Sequence, residues 1–402
     1  MNVPEIRIKG YDREWKHLLL QDCLLINVSK NKGNKYGKEH VLSVSDDFGV
    51  VNQIKHLGRS YAGSSVENYK ILKPNQVVYT KSPLKEKPYG IFKVNKEGFG
   101  IVSVLYAIYD AVEGVCPNYI ERYFEPNFRI NKYLLPLISK GAKNTMNISD
   151  ENALKGYINI PDFDEQQDIV NYFQSLDGII LSTTKKVEKL KQTKEASFVA
   201  MFPQKGETKP KVRFKGFEAE YSSMTASELF KTFDERNHPE LPVLSACQDI
   251  RGMAPRSESG YDIFHDKSNE VTYKRVLPGQ FVIHLRSFQG GFAHSSVEGI
   301  CSPAYTVFGF KEDGKHDDYY WKYIFMSKAF IERLKLIIYG IRDGRSISFK
   351  EFMEMDFVFP SYEEQKQISM FFRTIDKQIS LKEQKLESLK RIKSACLDKM
   401  FI

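Results

Sequence analysis

The side chains of this chain that could do chemistry are basic or amide-bearing rather than nucleophilic. Arginine presents a planar fork of donors, glutamine and asparagine pair a donor with an acceptor, and lysine offers a point charge. Arg286 with Ser287 and Gln289, and Arg342 with Arg345, sit in polar, glycine-containing stretches of the second half, as do Arg251 and Arg256 a little earlier. In the first half the comparable positions are Lys30, Lys32, Lys35 and Lys38, then Lys81 and Lys85, then Lys140 and Lys143. Groups of this kind hold anionic partners. A formal charge of +8 and a pI near 8.9 suit a polyanion without proving one.

Catalytic signatures are missing. There is no phosphate-binding G-x-x-x-x-G-K-[ST] loop, no G-x-S-x-G elbow, no H-E-x-x-H, and the eight His are dispersed. Lys32 to Lys38, "KGNKYGK", carries only two Gly and lacks a strand–turn–helix context for a phosphate loop. The tripeptide Glu-Gln-Lys occurs at Glu364–Lys366 and Glu383–Lys385, in the manner of the E-x-K of metal-dependent nucleases. Both copies read as solvated helix charges, because no Asp-bearing strand precedes them. Five scattered Cys with no C-x-x-C pair argue against disulfides and a zinc site, and favour a reducing compartment. The N-terminus has no apolar core of signal-peptide length, and no apolar run reaches about 18 residues. A cytoplasmic protein without cofactor or metal is the expectation.

The elements that must position these side chains occur twice. Pro161–Phe202 superposes on Pro360–Phe401 at a constant offset of 199, pairing Glu165 with Glu364, Gln166 with Gln365, Asp177 with Asp376 and Met201 with Met400. Upstream, "PEIRIKGYDREW" from Pro4 returns as "PKVRFKGFEAEY" from Pro210, and "YKILKPNQVV" from Tyr69 returns as "YKRVLPGQFV" from Tyr273. "GIVSVLYAIY" from Gly100 returns as "GICSPAYTVF" from Gly299. A repeat this long is a duplicated module, not a solenoid, whose units run to about 20–50 residues. Two similar sites related by approximate two-fold symmetry are expected.

Within each copy, "QVVYT" (Gln76–Thr80), "FVIH" (Phe281–His284) and "YTVFGF" (Tyr305–Phe310) read as strands, being rich in β-branched and aromatic residues. "PNYIERYF" and Asp317–Ile338 read as helical. Each globular half is therefore α+β, and the high aromatic content is mostly core. In the helices that follow, apolar residues recur at alternating steps of four and three. The first copy gives Ile169, Phe173, Leu176, Ile180, Val187, Leu190 and Met201; the second gives Ile368, Phe372, Ile375, Ile379, Leu386, Leu389 and Met400. That 3.5-residue period is the mark of a coiled coil. The natural partner of one helix is the other, antiparallel because the linker after Phe202 is short. The expected layout is 1–160 first globular domain, 161–205 first helix and linker, 206–360 second globular domain, 361–402 second helix.

With P-x-x-x-E-Q-x-x-I opening both helices, L-K-x-x-K then M-F closing them, and G-x-x-S followed by Tyr at Gly100–Tyr106 and Gly299–Tyr305, the chain resembles the specificity subunit of type I restriction–modification systems. "IRDGRSISF" (Ile341–Phe349) also resembles that family's approach to the helix. The resemblance implies two target-recognition domains, each reading half of a bipartite, asymmetric double-stranded DNA site, separated by two long helices that form an antiparallel coiled-coil spacer. It implies a non-catalytic subunit whose partners are two methyltransferase (modification) subunits and motor–nuclease (restriction) subunits. On DNA, the Arg residues named above suit guanine, Gln289 suits adenine, and Lys or Ser suit phosphates. The first copy departs at Lys143 and Met146, where the second has Arg342 and Arg345. A related system that cuts beside its site is a variant of this reading, and a non-DNA scaffold is the rival from another class.

Overall fold

The computed structural model describes residues 3–84, 86–140, 146–204, 206–247, 252–258, 267–284, 291–334, 338–339 and 346–402. It divides into two compact units, 1–184 with 384–402, and 185–383.

In the first unit the short runs rich in Val, Ile and Tyr pair as antiparallel ladders. The strands are β1 (Lys16–Leu19), β2 (Leu24–Ile26), β3 (Leu42–Ser45), β4 (Gly49–Asn52), β5 (Lys70–Leu72), β6 (Val77–Tyr79), β7 (Phe92–Val94), β8 (Gly100–Val102), β9 (Ala107–Ala111), β10 (Ser139–Lys140), β11 (Met146–Asn147) and β12 (Tyr157–Ile160). The central sheet has the order β2-β9-β6-β7, flanked by the pairs β1-β12, β3-β4, β5-β8 and β10-β11. Helices α1 (Gln53–Leu57), α2 (Pro117–Tyr123) and α3 (Asn127–Leu134) join it, and β12 runs directly into α4 (Phe163–Met201).

The second unit repeats this plan. Its strands are β13 (Ser222–Thr225), β14 (Phe230–Phe233), β15 (Leu244–Ala246), β16 (Met253–Pro255), β17 (Lys274–Val276), β18 (Phe281–Ile283), β19 (Phe292–His294), β20 (Gly299–Cys301), β21 (Thr306–Phe310), β22 (Ile338–Tyr339), β23 (Ser346–Ile347) and β24 (Asp356–Phe359). The central order is β14-β21-β18-β19, with the pairs β13-β24, β15-β16, β17-β20 and β22-β23. Its helices are α5 (Ala226–Leu229), α6 (Asp318–Met326), α7 (Lys328–Leu334), α8 (Phe349–Met353) and α9 (Tyr362–Lys399), which follows β24. The duplicated sequence thus folds into duplicated topology, a mixed α+β architecture with two long helices. The helical stretch expected over 317–338, as one or two helices, is two, α6 and α7, broken at Ser327.

The repeated motifs are largely turn and packing devices. A Cβ on Gly100 would lie 2.6 Å from the His40 carbonyl, and one on Gly299 would lie 2.5 Å from the Pro242 carbonyl, so only glycine fits either strand crossing. Ser103 and Ser302 then fold back the connection into β9 or β21: their carbonyls accept from the Tyr106 and Tyr305 amides, each at 3.0 Å. Gln76 and Gln280 are buried, and their side-chain oxygens hold the amides of Lys73 and Leu277 at 2.6 and 2.8 Å. The turn between them needs a left-handed residue, supplied by Asn75 (φ 65°) in one copy and Gly279 (φ 85°) in the other.

Each hydrophobic core is completed by the end of a long helix. In the first unit Cys396, Leu397, Met400 and Phe401 pack with Trp15, Tyr119 and Phe173. In the second, Met201 and Phe202 pack with Tyr320, Trp321 and Phe372. Phe202, at the edge of the linker, is buried at 6% exposure. The coiled-coil period marks the covered stripe. Ile169, Phe173, Leu176, Val187, Met201, Ile368, Phe372, Ile375 and Met400 are buried, while Ile180, Leu190, Ile379, Leu386 and Leu389 are half-buried. Gly178 is exposed and leaves α4 unbroken. Within the first unit α4 and α9 run antiparallel, Tyr172 meeting Cys396 at 3.3 Å and Asp177 meeting Lys393 at 2.8 Å. Within the second they do so again, Lys191 meeting Glu383 at 2.7 Å and Lys194 meeting Asp376 at 2.5 Å.

Candidate nucleic-acid interface

Any surface that reads DNA must stand on a rigid base, and the helix roots supply one in each unit. Arg7 donates Nε and Nη2 to the two oxygens of Glu165, both at 2.7 Å; Arg213 makes the same two-pronged contact with Glu364 at 3.0 and 2.7 Å. The carboxylates are 2% and 0% exposed, so each charge is matched in a sheltered place. The neighbouring amides do a second job. Gln166 donates to the Pro161 carbonyl and accepts from the Cys116 amide; Gln365 donates to the Pro360 carbonyl and accepts from the Asp317 amide. The repeated Glu-Gln pair therefore ties the domain's first segment, its α2 or α6, and its last strand to the start of the long helix. The sequence reading of Glu364 as a solvated helix charge is corrected here: Arg213, 151 residues away in sequence, draws it into the protein. Glu383, exposed and paired with Lys191, fits the solvated reading.

Further along, the helices are locked to the domains by a second charged cluster. In the first unit Asp177 receives Lys393 and Arg122, and Glu125 receives the same two cations. Burial raises the Asp177 and Glu125 carboxyls, but Lys393 and Arg122 outweigh it and hold both below their ordinary values. In the second unit Asp376 receives Lys194 and the Tyr323 hydroxyl, the latter at 2.7 Å.

On that base the first unit displays a lysine loop between β2 and β3. Asn31, fully buried, anchors it: its Nδ2 donates to the Tyr36 and Val66 carbonyls at 2.8 and 3.2 Å, and its Oδ1 accepts from the Tyr36 amide at 3.0 Å. Lys30, Lys32, Lys35 and Lys38 stand exposed around this anchor, and none has an acidic partner within 4.0 Å among the described residues. Lys81 is placed differently. With Lys70 it flanks Asp150, at 2.6 and 2.7 Å, and its side chain is 19% exposed. Burial raises the Asp150 carboxyl and the two lysines lower it further, for a net depression. Lys140 lies on β10.

In the second unit Arg256 follows β16, half-buried, with Nε 3.4 Å from the Ser245 hydroxyl. Lys85, Lys143, Arg251, Arg286, Ser287, Gln289, Arg342 and Arg345 lie outside the described residues. By sequence, Arg286 to Gln289 fall between β18 and β19, and Lys143 and the Arg342–Arg345 pair fall between the strands of matching hairpins. Sequence reasoning missed Arg59, which is exposed and sits over the ring of exposed Tyr61 at 4.7 Å. Its signal was available in the Gly- and Ser-flanked "GRSYAG" stretch. Among the described residues no cluster of His, Cys, Asp and Glu could hold a metal ion, and no helix is long and apolar enough to cross a membrane.

Comparison with known proteins places this architecture. Residues 225–391 match the model of the type I restriction modification DNA specificity domain. No curated protein matches the chain. Among solved structures, the type I restriction–modification S subunit of M. genitalium is similar over 100% of this chain and 99% of its own, at 11% identity and a TM-score of 0.57. The HsdS subunit of Thermoanaerobacter tengcongensis is similar over 98% of each chain, at 14% identity and a TM-score of 0.49. The second copy therefore carries a type I restriction modification DNA specificity domain over residues 225–391, the first copy repeats its plan, and the whole chain shares the fold of the M. genitalium subunit.

Proposed function

We propose that the chain recognises a bipartite, asymmetric DNA site and directs the methyltransferase and endonuclease subunits of a type I restriction–modification complex to it. Residues 1–160 and 206–360 are the two target-recognition domains in this reading, and 161–205 and 361–402 are the spacer helices. The observation that carries it is the contrast between the two kinds of segment. The helix roots repeat residue for residue, down to the Arg7–Glu165 and Arg213–Glu364 clamps. The loops that carry the candidate cations differ between the copies, as two surfaces reading different bases would.

Phosphate contact falls to Lys30, Lys32, Lys35, Lys38, Lys85, Lys140 and Lys143, with Lys81 partly committed to Asp150. Base contact in the second domain falls to Arg251, Arg256, Arg286, Gln289, Arg342 and Arg345, with Ser287 as a phosphate or base partner. The subunit itself performs no bond-breaking step, and the exposed outer faces of α4 and α9 dock two methyltransferase subunits, with motor–nuclease subunits joining afterward. The test is the methylation pattern of a host expressing the chain with its methyltransferase. Methylation at one bipartite motif supports the proposal, and methylation that is absent or without sequence preference refutes it.

A further inference from the structure

The exposed Arg59–Tyr61 pair of the first unit is built, not incidental. α1 is capped by Asn52, whose Oδ1 accepts from the Ile54 and Lys55 amides at 3.1 Å, and whose Nδ2 donates to the Glu39 carbonyl at 2.7 Å. The helix ends at Gly58 in the left-handed region (φ 77°), which turns the chain outward into Arg59. Gln53 then fixes the segment beyond the turn: its Oε1 accepts from the Tyr61 amide at 2.9 Å, while its Nε2 donates to the Ser43 hydroxyl at 2.7 Å. After Tyr61, Ala62 packs against the cluster of Val41, Val66 and Ile101 that also seats Tyr36 of the lysine loop. The Asn31 contact to the Val66 carbonyl binds the two segments into one surface.

Arg59 has no acidic partner among the described residues, and its guanidinium carbon lies 4.7 Å from the Tyr61 ring centroid, a cation–π contact that uses none of its N–H donors. A ring-seated guanidinium, on a segment that shares a packed cluster with a loop of four lysines lacking acidic partners, is complementary to a nucleic acid edge flanked by phosphates. Between Val243 and Tyr273 of the second copy no Arg-x-Tyr occurs, so the sequence does not repeat this spacing there.

We propose that Arg59, held on Tyr61, reads a guanine edge in the half-site of the first domain, with Lys30, Lys32, Lys35 and Lys38 gripping the adjoining phosphates. This rests on the reading of the chain as a DNA-recognition subunit. The experiment is selection from a duplex DNA library of randomised sequence with the full-length chain, comparing wild type, R59A, R59K and the double variant K32A/K35A.

R59A and R59K should both lose about tenfold of the preference at one or two adjacent base pairs of one half-site, because lysine cannot make the two-pronged contact. The other half-site should keep its preference in the same molecules, which also reports that the variants fold. K32A/K35A should weaken binding evenly across sequences. Unchanged preference in R59A, an even loss across all sequences, or loss of both half-sites together would overturn the assignment of Arg59. A wild-type chain with no sequence preference would overturn the DNA-recognition reading itself, and this inference with it.

Discussion

Asp177 of α4 and Lys393 of α9 pair at 2.8 Å, and the repeat-equivalent residues, Asp376 of α9 and Lys194 of α4, pair at 2.5 Å. Each copy supplies the acid in one unit and the base in the other. A single pair of positions on the repeated helix is therefore used twice, and a change in its spacing would spoil two contacts. That reciprocity explains why the helices repeat with no insertion while the globular segments do not.

Replacing Asp376 with Ala should cost about 3 kcal/mol, because Lys194 and the Tyr323 hydroxyl lose a carboxylate that is only 7% exposed. Urea unfolding of the full-length chain measures it. A double-mutant cycle with Lys194→Met should show coupling above about 0.5 kcal/mol; simple additivity would contradict a direct pair.

The two halves of the helix-root clamp should not be equally sensitive. Arg213→Ala strands the fully buried Glu364 carboxylate, whereas Glu364→Ala leaves Arg213, 17% exposed, able to turn toward water. We expect a loss of about 3 kcal/mol for the first and about half that for the second. Equal losses would mean that the carboxylate reaches solvent when unpaired.

How much of this was legible in the sequence depends on the range of the interaction. The 3.5-residue period is local, so the covered stripe of α4 and α9 could be read directly, down to Ile169, Phe173, Ile368 and Phe372. The Glu-Gln repeat was visible as a repeat, but its job was not, since Arg7 and Glu165 are 158 residues apart. The same blindness made Lys81 look like a free cation when Asp150, 69 residues on, holds it. Arg59 was missed for the opposite reason. Its partner Tyr61 is two residues away, yet a loop conformation had to be known before the contact could be inferred.

Acid should loosen the first unit at its charged lock. Asp177 and Glu125 have folded pKa values below their ordinary 3.8 and 4.5, so the unfolded chain binds protons first as pH falls. The stability they contribute is complete above about pH 5 and is lost as pH drops through the depressed folded values. Asp177→Asn should flatten the acid limb of a stability–pH curve, measured by chemical denaturation between about pH 7 and 3. An acid limb as steep as that of wild type would contradict the assignment.

Salt dependence separates the lysines by role. Each of Lys32→Ala and Lys35→Ala should lower the slope of log affinity against log salt by about 1, since each would release a phosphate counterion. Lys81→Ala should change the slope less and lower stability instead, because its charge is committed to Asp150. A slope change for Lys81 matching that of Lys32 would reverse this ranking.

The most direct test of the account is the sequence recognised by the full-length chain, read by selection from randomised duplex DNA and by the methylome of a host that carries it with its methyltransferase. Two unlike specific blocks separated by a gap of fixed length and free sequence are expected, with the gap changing when a heptad is added to both α4 and α9 and the blocks remaining the same. One continuous motif, or binding that ignores sequence and stays flat against salt, would contradict it.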